Sequence, residues 1–285
     1  MKCSSLVTFG LVLAVCGLMA LGLTGCGSSA AQTEAAQARE AKDQPKTSSS
    51  DPSGGSGKGM AAIKQAADAG KYLFVFLSKA DDDQTLAMRK LFDTTMEKLA
   101  DRAQGVAVKI TDSSEKAIVD KFDLSRAPMP LVLAMAPNGA ITGGFPTKFE
   151  EQQLLDAFAT PGTEKVMKSL QDGKLVFVCV QNAKTKSNDA AMQGVRDFKT
   201  DARFASATEI VTLDPTDKKE ASFLTDLKVS PDIAEATTVF VAPPGTALSK
   251  FEGATNKDAL VEVLSKANTG CGPGGCGPGG CGPKQ

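Results

Sequence analysis

The side chains best placed to do chemistry are three cysteines in the last fifteen residues. Cys271, Cys276 and Cys281 recur every five residues in a Cys-Gly-Pro-Gly-Gly repeat, within a tail spanning 269–285. Pro-Gly suits the centre of a type II turn, and such turns draw successive sulfurs together. Three thiolates with no imidazole or carboxylate in the repeat form a soft ligand set. That set fits Cu(I) or another thiophilic ion in three-coordinate geometry better than structural Zn²⁺, which takes four ligands. The spacing is not the Cys-x-x-Cys of zinc sites. Competing readings are a disulfide in an oxidising compartment that leaves one thiol for another molecule, a set of redox thiols, a low-complexity extension without a ligand, and recognition by sorting or cross-linking machinery.

Other chemistry is excluded by composition. The chain has 285 residues, no histidine and no tryptophan, so Ser-His-Asp and Cys-His catalysis and histidine metal sites are ruled out. Its 32 basic and 33 acidic residues leave a net charge of -1, which argues against a nucleic-acid partner. Asp81, Asp82 and Asp83, with Asp112, read as a solvated acidic loop at a helix N-terminus rather than a Ca²⁺ site, because no EF-hand pattern is present. Cys179 lies in an apolar strand with no nearby cysteine, and reads as a small core residue. Gly57-Lys58-Gly59 lacks the spacing of a phosphate loop and reads as linker.

The start of the chain reads as targeting. Lys2 precedes an apolar run from Leu6 to Leu23, which ends in Leu23-Thr24-Gly25-Cys26. A basic start, an apolar middle and a small-residue end are the parts of a signal peptide, the alternative being an uncut transmembrane anchor, since the run is nearly long enough to span, and the last four residues resemble a bacterial lipobox. That resemblance implies removal of 1–25, with Cys3 and Cys16 discarded, and lipid including palmitate on Cys26. The protein would then be held at the cell-envelope membrane through Cys26. Gly27 follows the modified position, where an Asp would imply inner-membrane retention, so the outer membrane is favoured in an organism with two membranes. Residues 26–59 are then a lipidated cysteine and a linker too poor in apolar side chains to offset the entropy of ordering.

The body repeats itself. Gly70-Lys71-Tyr72-Leu73-Phe74-Val75-Phe76-Leu77 returns 103 positions later as Gly173-Lys174-Leu175-Val176-Phe177-Val178-Cys179-Val180, and Phe145 returns 106 positions later as Phe251. Each copy reads as a helix, a buried strand, a helix, a second strand, a short helix, a hairpin of two strands and a last helix. In the first copy the helices are expected at 60–69, 85–102, 114–122 and 150–159, and the strands at 71–77, 106–110, 131–136 and 140–145. This order implies an α/β class with a mixed central sheet flanked by helices. Two such domains are expected, at 60–160 and 161–268, the second divergent.

The order resembles the thioredoxin fold. Lys71 to Leu77 stands where that family has the strand leading into its Cys-x-x-Cys, and Phe122 to Leu133 looks like the segment ending in the family's cis-proline, here Pro130. Gly143-Gly144-Phe145 looks like the glycine stretch before the final helix. The departures bear on function. Asp81 and Gln84 stand where the family's two cysteines would be, Lys184 and Ser187 hold those places in the second copy, and Ala236 replaces the proline. A thiolate is the nucleophile of disulfide exchange, and none of these side chains substitutes for it. The expectation is a non-catalytic envelope lipoprotein, a thioredoxin-like binding scaffold open to a protein partner, with a tail for a soft metal or thiol. The alternatives are a divergent thiol-disulfide oxidoreductase using the tail cysteines, since Cys-Gly-Pro matches part of the family's Cys-Gly-Pro-Cys, and a structural envelope protein cross-linked through them.

Overall fold

The computed structural model describes residues 57–269. Cys26 and the tail cysteines Cys271, Cys276 and Cys281 lie outside the described residues. The first half contains α1 (Lys58–Asp68), β1 (Tyr72–Ser78), α2 (Asp83–Lys98), β2 (Ala103–Lys109), α3 (Lys116–Lys121), β3 (Leu131–Met135), β4 (Ile141–Pro146) and α4 (Glu151–Leu155). The second contains α5 (Pro161–Gln171), β5 (Leu175–Val180), α6 (Asn188–Thr200), β6 (Thr208–Leu213), α7 (Ala221–Asp226), β7 (Thr237–Ala242), β8 (Thr246–Glu252) and α8 (Lys257–Thr269). No helix among the described residues is long and apolar enough to cross a membrane.

The strands form two four-stranded sheets, ordered β2-β1-β3-β4 and β6-β5-β7-β8. In each, the central strand runs parallel to one neighbour and antiparallel to the other. The continuous apolar run of β1 explains its central place. Tyr72, Phe74 and Phe76 face one helix layer beside Phe92, while Leu73, Val75 and Leu77 face the other beside Ile118. A strand apolar on both faces is stable only between two covering layers. This is the mixed, helix-flanked, thioredoxin-like arrangement expected for both halves.

The duplication extends to irregularities. Both hairpins carry a register shift, between Ala134 and Met135 in one and between Phe240 and Val241 in the other, again 106 positions apart. Their turns hold Gly139 and Gly245 at φ 81 and 142, a region that disfavours side chains.

The two cores are filled differently. Phe76 and Phe92, in contact in the first half, correspond by the 103-residue offset to Cys179 and Val195. The space is taken up by neighbouring side chains of α6 and β7. Thr95 corresponds to Phe198 at the 103-residue offset and Ala134 to Phe240 at the 106-residue offset, and the two rings lie 5.8 Å apart and both contact Phe177. Volume is exchanged within one layer, and Cys179 is the small member of that exchange.

Helix limits differ from expectation where a cap intervenes. Helix α2 starts at Asp83 because Asp82 accepts the Thr85 N–H at 2.8 Å. Helix α4 ends at Leu155 rather than continuing to Ala159, because Pro161 opens α5 and Thr160 caps it, so the chain must leave helical geometry between them. Helix α1 begins at Lys58, inside the stretch read as linker. Gly57 is its N-cap, and a Cβ there would lie 2.3 Å from the Ser114 carbonyl oxygen.

Candidate functional site

The β1–α2 loop and the chain before β3 converge at one end of the first sheet. The Gln84 side-chain amide donates to the Thr147 carbonyl at 3.1 Å, and the Thr147 N–H donates to the Pro130 carbonyl at 2.6 Å. The Met129–Pro130 peptide is cis. Asp81 pairs with Lys109 at 2.8 Å. The neighbouring aspartates have local roles. Asp82 caps α2, and Asp112 accepts the Ser114 N–H at 2.9 Å. These backbone donors hold both carboxyls below the ordinary aspartate value. Among the described residues no three His, Cys, Asp or Glu side chains come together as a metal-ligating group.

The same end of the second sheet is built differently. Thr185 donates its hydroxyl to the Asn188 side chain at 2.7 Å, and Asn188 donates to the Asn182 carbonyl at 2.7 Å, closing the β5–α6 loop on itself. Lys184 lies in that loop, and Ser187 precedes α6 with φ 61. Lys186 pairs with the segment before β7: its N–H donates to the Ala234 carbonyl and its carbonyl accepts the Ala236 N–H, each at 2.9 Å. Glu235 corresponds by the 106-residue offset to Met129. The second half therefore covers this short edge with its own chain. In the first half the positions matching Ala234 and Ala236 are Pro128 and Pro130: the Pro128 carbonyl has no hydrogen-bond partner among the described residues, and Pro130 has no N–H to offer. Leu86, 54% exposed, lies in the first turn of α2 on from Gln84.

Cys179 is 2% exposed and is the single cysteine among the described residues. Burial pushes its thiol up from 9.0 to about 11, against smaller opposing effects of the Thr238 hydroxyl and Arg196. It is the packing residue expected from the sequence, placed across from Thr238.

Sequence reading missed two buried carboxylates. Glu115 accepts the Gly59 N–H at 3.0 Å, and Glu220 accepts the Gly162 N–H at 2.8 Å, so each fastens the first turn of the helix that opens its half. Both are 5% exposed. A hydrogen-bonded carboxylate at a helix N-terminus is stabilised by unpaired backbone donors and by the dipole. The signal was present, because Gly59 recurs as Gly162 and Glu115 as Glu220 at nearly the duplication offset.

No family model and no curated protein matches the chain. Among solved structures it is similar to the first two thioredoxin domains of Naumovozyma dairenensis Eps1p, at 11% identity over 75% of this chain and 97% of that one, TM-score 0.28. It is also similar to a disulphide isomerase from Xylella fastidiosa, at 13% identity over 34% of this chain and 82% of that one, TM-score 0.26. Human ERp44 matches at 10% identity over 72% of this chain and 55% of that one, TM-score 0.32. The fold assignment rests on strand order, direction and register in each half.

Proposed function

We propose that the protein is a lipid-anchored, non-catalytic envelope protein whose thioredoxin-like domains form a binding scaffold and whose tail holds a soft metal ion or a thiol partner. The observation carrying this reading is the placement of sulfur in the body. The single described cysteine is buried, and the side chains at 81, 84, 184 and 187 carry no thiol. Disulfide exchange needs an accessible thiolate. Sulfur chemistry therefore falls to Cys271, Cys276 and Cys281, and attachment to the membrane falls to lipid on Cys26. The outer membrane is the favoured location where two membranes exist. The uncovered Pro128 carbonyl before β3 and the exposed Leu86 support the first domain as the face that meets a protein partner.

The test uses the soluble form beginning after Cys26, reduced anaerobically and titrated with Cu(I) and with Zn²⁺ against a competing chelator. The same protein with Cys271, Cys276 and Cys281 all changed to Ser serves as control. Tight Cu(I) uptake by the parent and its loss in the control is the expected result. Equal uptake by the two overturns the metal reading. Insulin-disulfide reduction that disappears in the control would replace it with a tail-based oxidoreductase, and covalent multimers that collapse on reduction would replace it with a cross-linked structural role.

A further inference from the structure

The connection between the two halves is held from both sides. From the first half, the Tyr72 hydroxyl donates to the Glu164 carboxylate at 2.6 Å and accepts the Ala159 N–H at 2.9 Å. Its ring lies 4.5 Å from that of Phe158, over which the Arg102 guanidinium stacks at 3.5 Å. From the second half, Glu220 accepts both the Thr160 hydroxyl and the Gly162 N–H. Residues 159–164 thus carry partners in both domains, and little slack is left for a hinge.

Helix α5 continues the connection with two working faces. Val166 and Leu170 pack into the core of the second half, while Met167 packs against the core of the first. The Asn138 amide in the β3–β4 turn donates to the Glu164 carbonyl at 2.9 Å. At the far end of α5, the Gln171 amide donates to the Ile141 carbonyl at 2.7 Å and accepts the Ile141 N–H at 2.8 Å. That two-point contact occupies the open edge of β4 as a neighbouring strand would. Edge strands need such cover to avoid pairing with other chains.

We infer that α5 serves both cores, so that the two domains unfold and move as one unit and the second domain braces the β4 edge of the first. Domains joined by a short, polar interface move independently by default. Here the hydrogen bonds of Tyr72, Asn138 and Gln171 and the packing of Met167 oppose that. Burial, with the Glu164 bond, raises the Tyr72 hydroxyl pKa, as expected of a group held inside a joint.

The chain supplies its own probes. Tyr72 is the single tyrosine and reports on the first half, and Cys179 reports on the second. The experiment uses the full chain in mild non-ionic detergent, with Cys3, Cys16, Cys26, Cys271, Cys276 and Cys281 changed to Ser so that Cys179 is the single thiol. Unfolding in guanidinium chloride is followed by tyrosine signal and by thiol labelling. Coincident midpoints are expected. A second protein carries Glu164→Ala and Gln171→Ala, which cut the joint while preserving helix propensity. In it the midpoints should separate by about 0.5 M, the tyrosine transition coming first. Gln171→Ala alone serves if the double variant does not fold, with a smaller separation of the same sign. Separate transitions in the parent, or coincident ones in the variant, would overturn the inference.

Discussion

Cys179 and Asp82 show how placement changes a side chain's chemistry in opposite directions. With its pKa pushed from 9.0 to about 11, Cys179 presents on the order of 100-fold less thiolate at pH 8 than an unperturbed thiol, before access is considered. Native protein with the other cysteines replaced is therefore expected to resist labelling by a thiol reagent until it is unfolded. Prompt stoichiometric labelling without denaturant would contradict the buried assignment. Asp82 is shifted the other way, held below 3.8 by the Thr85 N–H. A carboxyl with a depressed folded pKa contributes stability above its unfolded pKa and loses it as pH falls through the folded value. Helix α2 should thus lose this support below about pH 3.8. Asp82→Asn keeps a capping oxygen but removes the titration. Melting temperatures at pH 7 and pH 3 are expected to differ less in this variant than in the parent.

At the scale of elements, the carboxylate clasps and the exchanged core residues make the sharpest predictions. Removing Glu115 or Glu220 strands a buried N–H, which costs about 1–3 kcal/mol. Denaturant unfolding of Glu115→Ala and Glu220→Ala should show losses of that size, whereas an unchanged midpoint would mean the carboxylates do not fasten their helices. Cys179→Phe introduces the larger residue of the other half and should cost about 1–3 kcal/mol by overpacking. Adding Phe240→Ala should restore part of that loss, so the pair would be less harmful than the sum of the single changes. The strands were legible in the sequence because apolar runs bounded by glycine need two covering layers, and the repeat set their correspondence. The clasps were harder to see, since an isolated Glu in a polar stretch has the pattern of a solvated charge and only the recurrence of Glu115 as Glu220 sets it apart. The edge before β3 was also hidden. Pro130 and Ala236 mark it, but whether a loop folds back over it depends on hydrogen bonds that leave no periodic trace.

For the whole molecule, the division of labour assigned to sulfur should be visible in protein taken from its native envelope. Mass spectrometry is expected to find a mature chain starting at lipid-modified Cys26, an unmodified Cys179, and the tail thiols metal-loaded or joined to a partner. An unprocessed, lipid-free N-terminus would remove the anchoring part of the proposal. The shared helix lay beyond sequence reading because an amphipathic pattern shows one apolar face, and Met167 works on a second. The unequal filling of the two cores has one more effect, on the fidelity of folding. Tandem domains of the same topology run the risk that a strand of one copy inserts into the sheet of the other during folding. Were β1 to take the place of β5, Phe76 would enter a layer already filled by Phe198 and Phe240, and β5 in the reverse exchange would leave a void beside Phe92. Complementary volumes thus give each sheet a steric password that its twin does not carry.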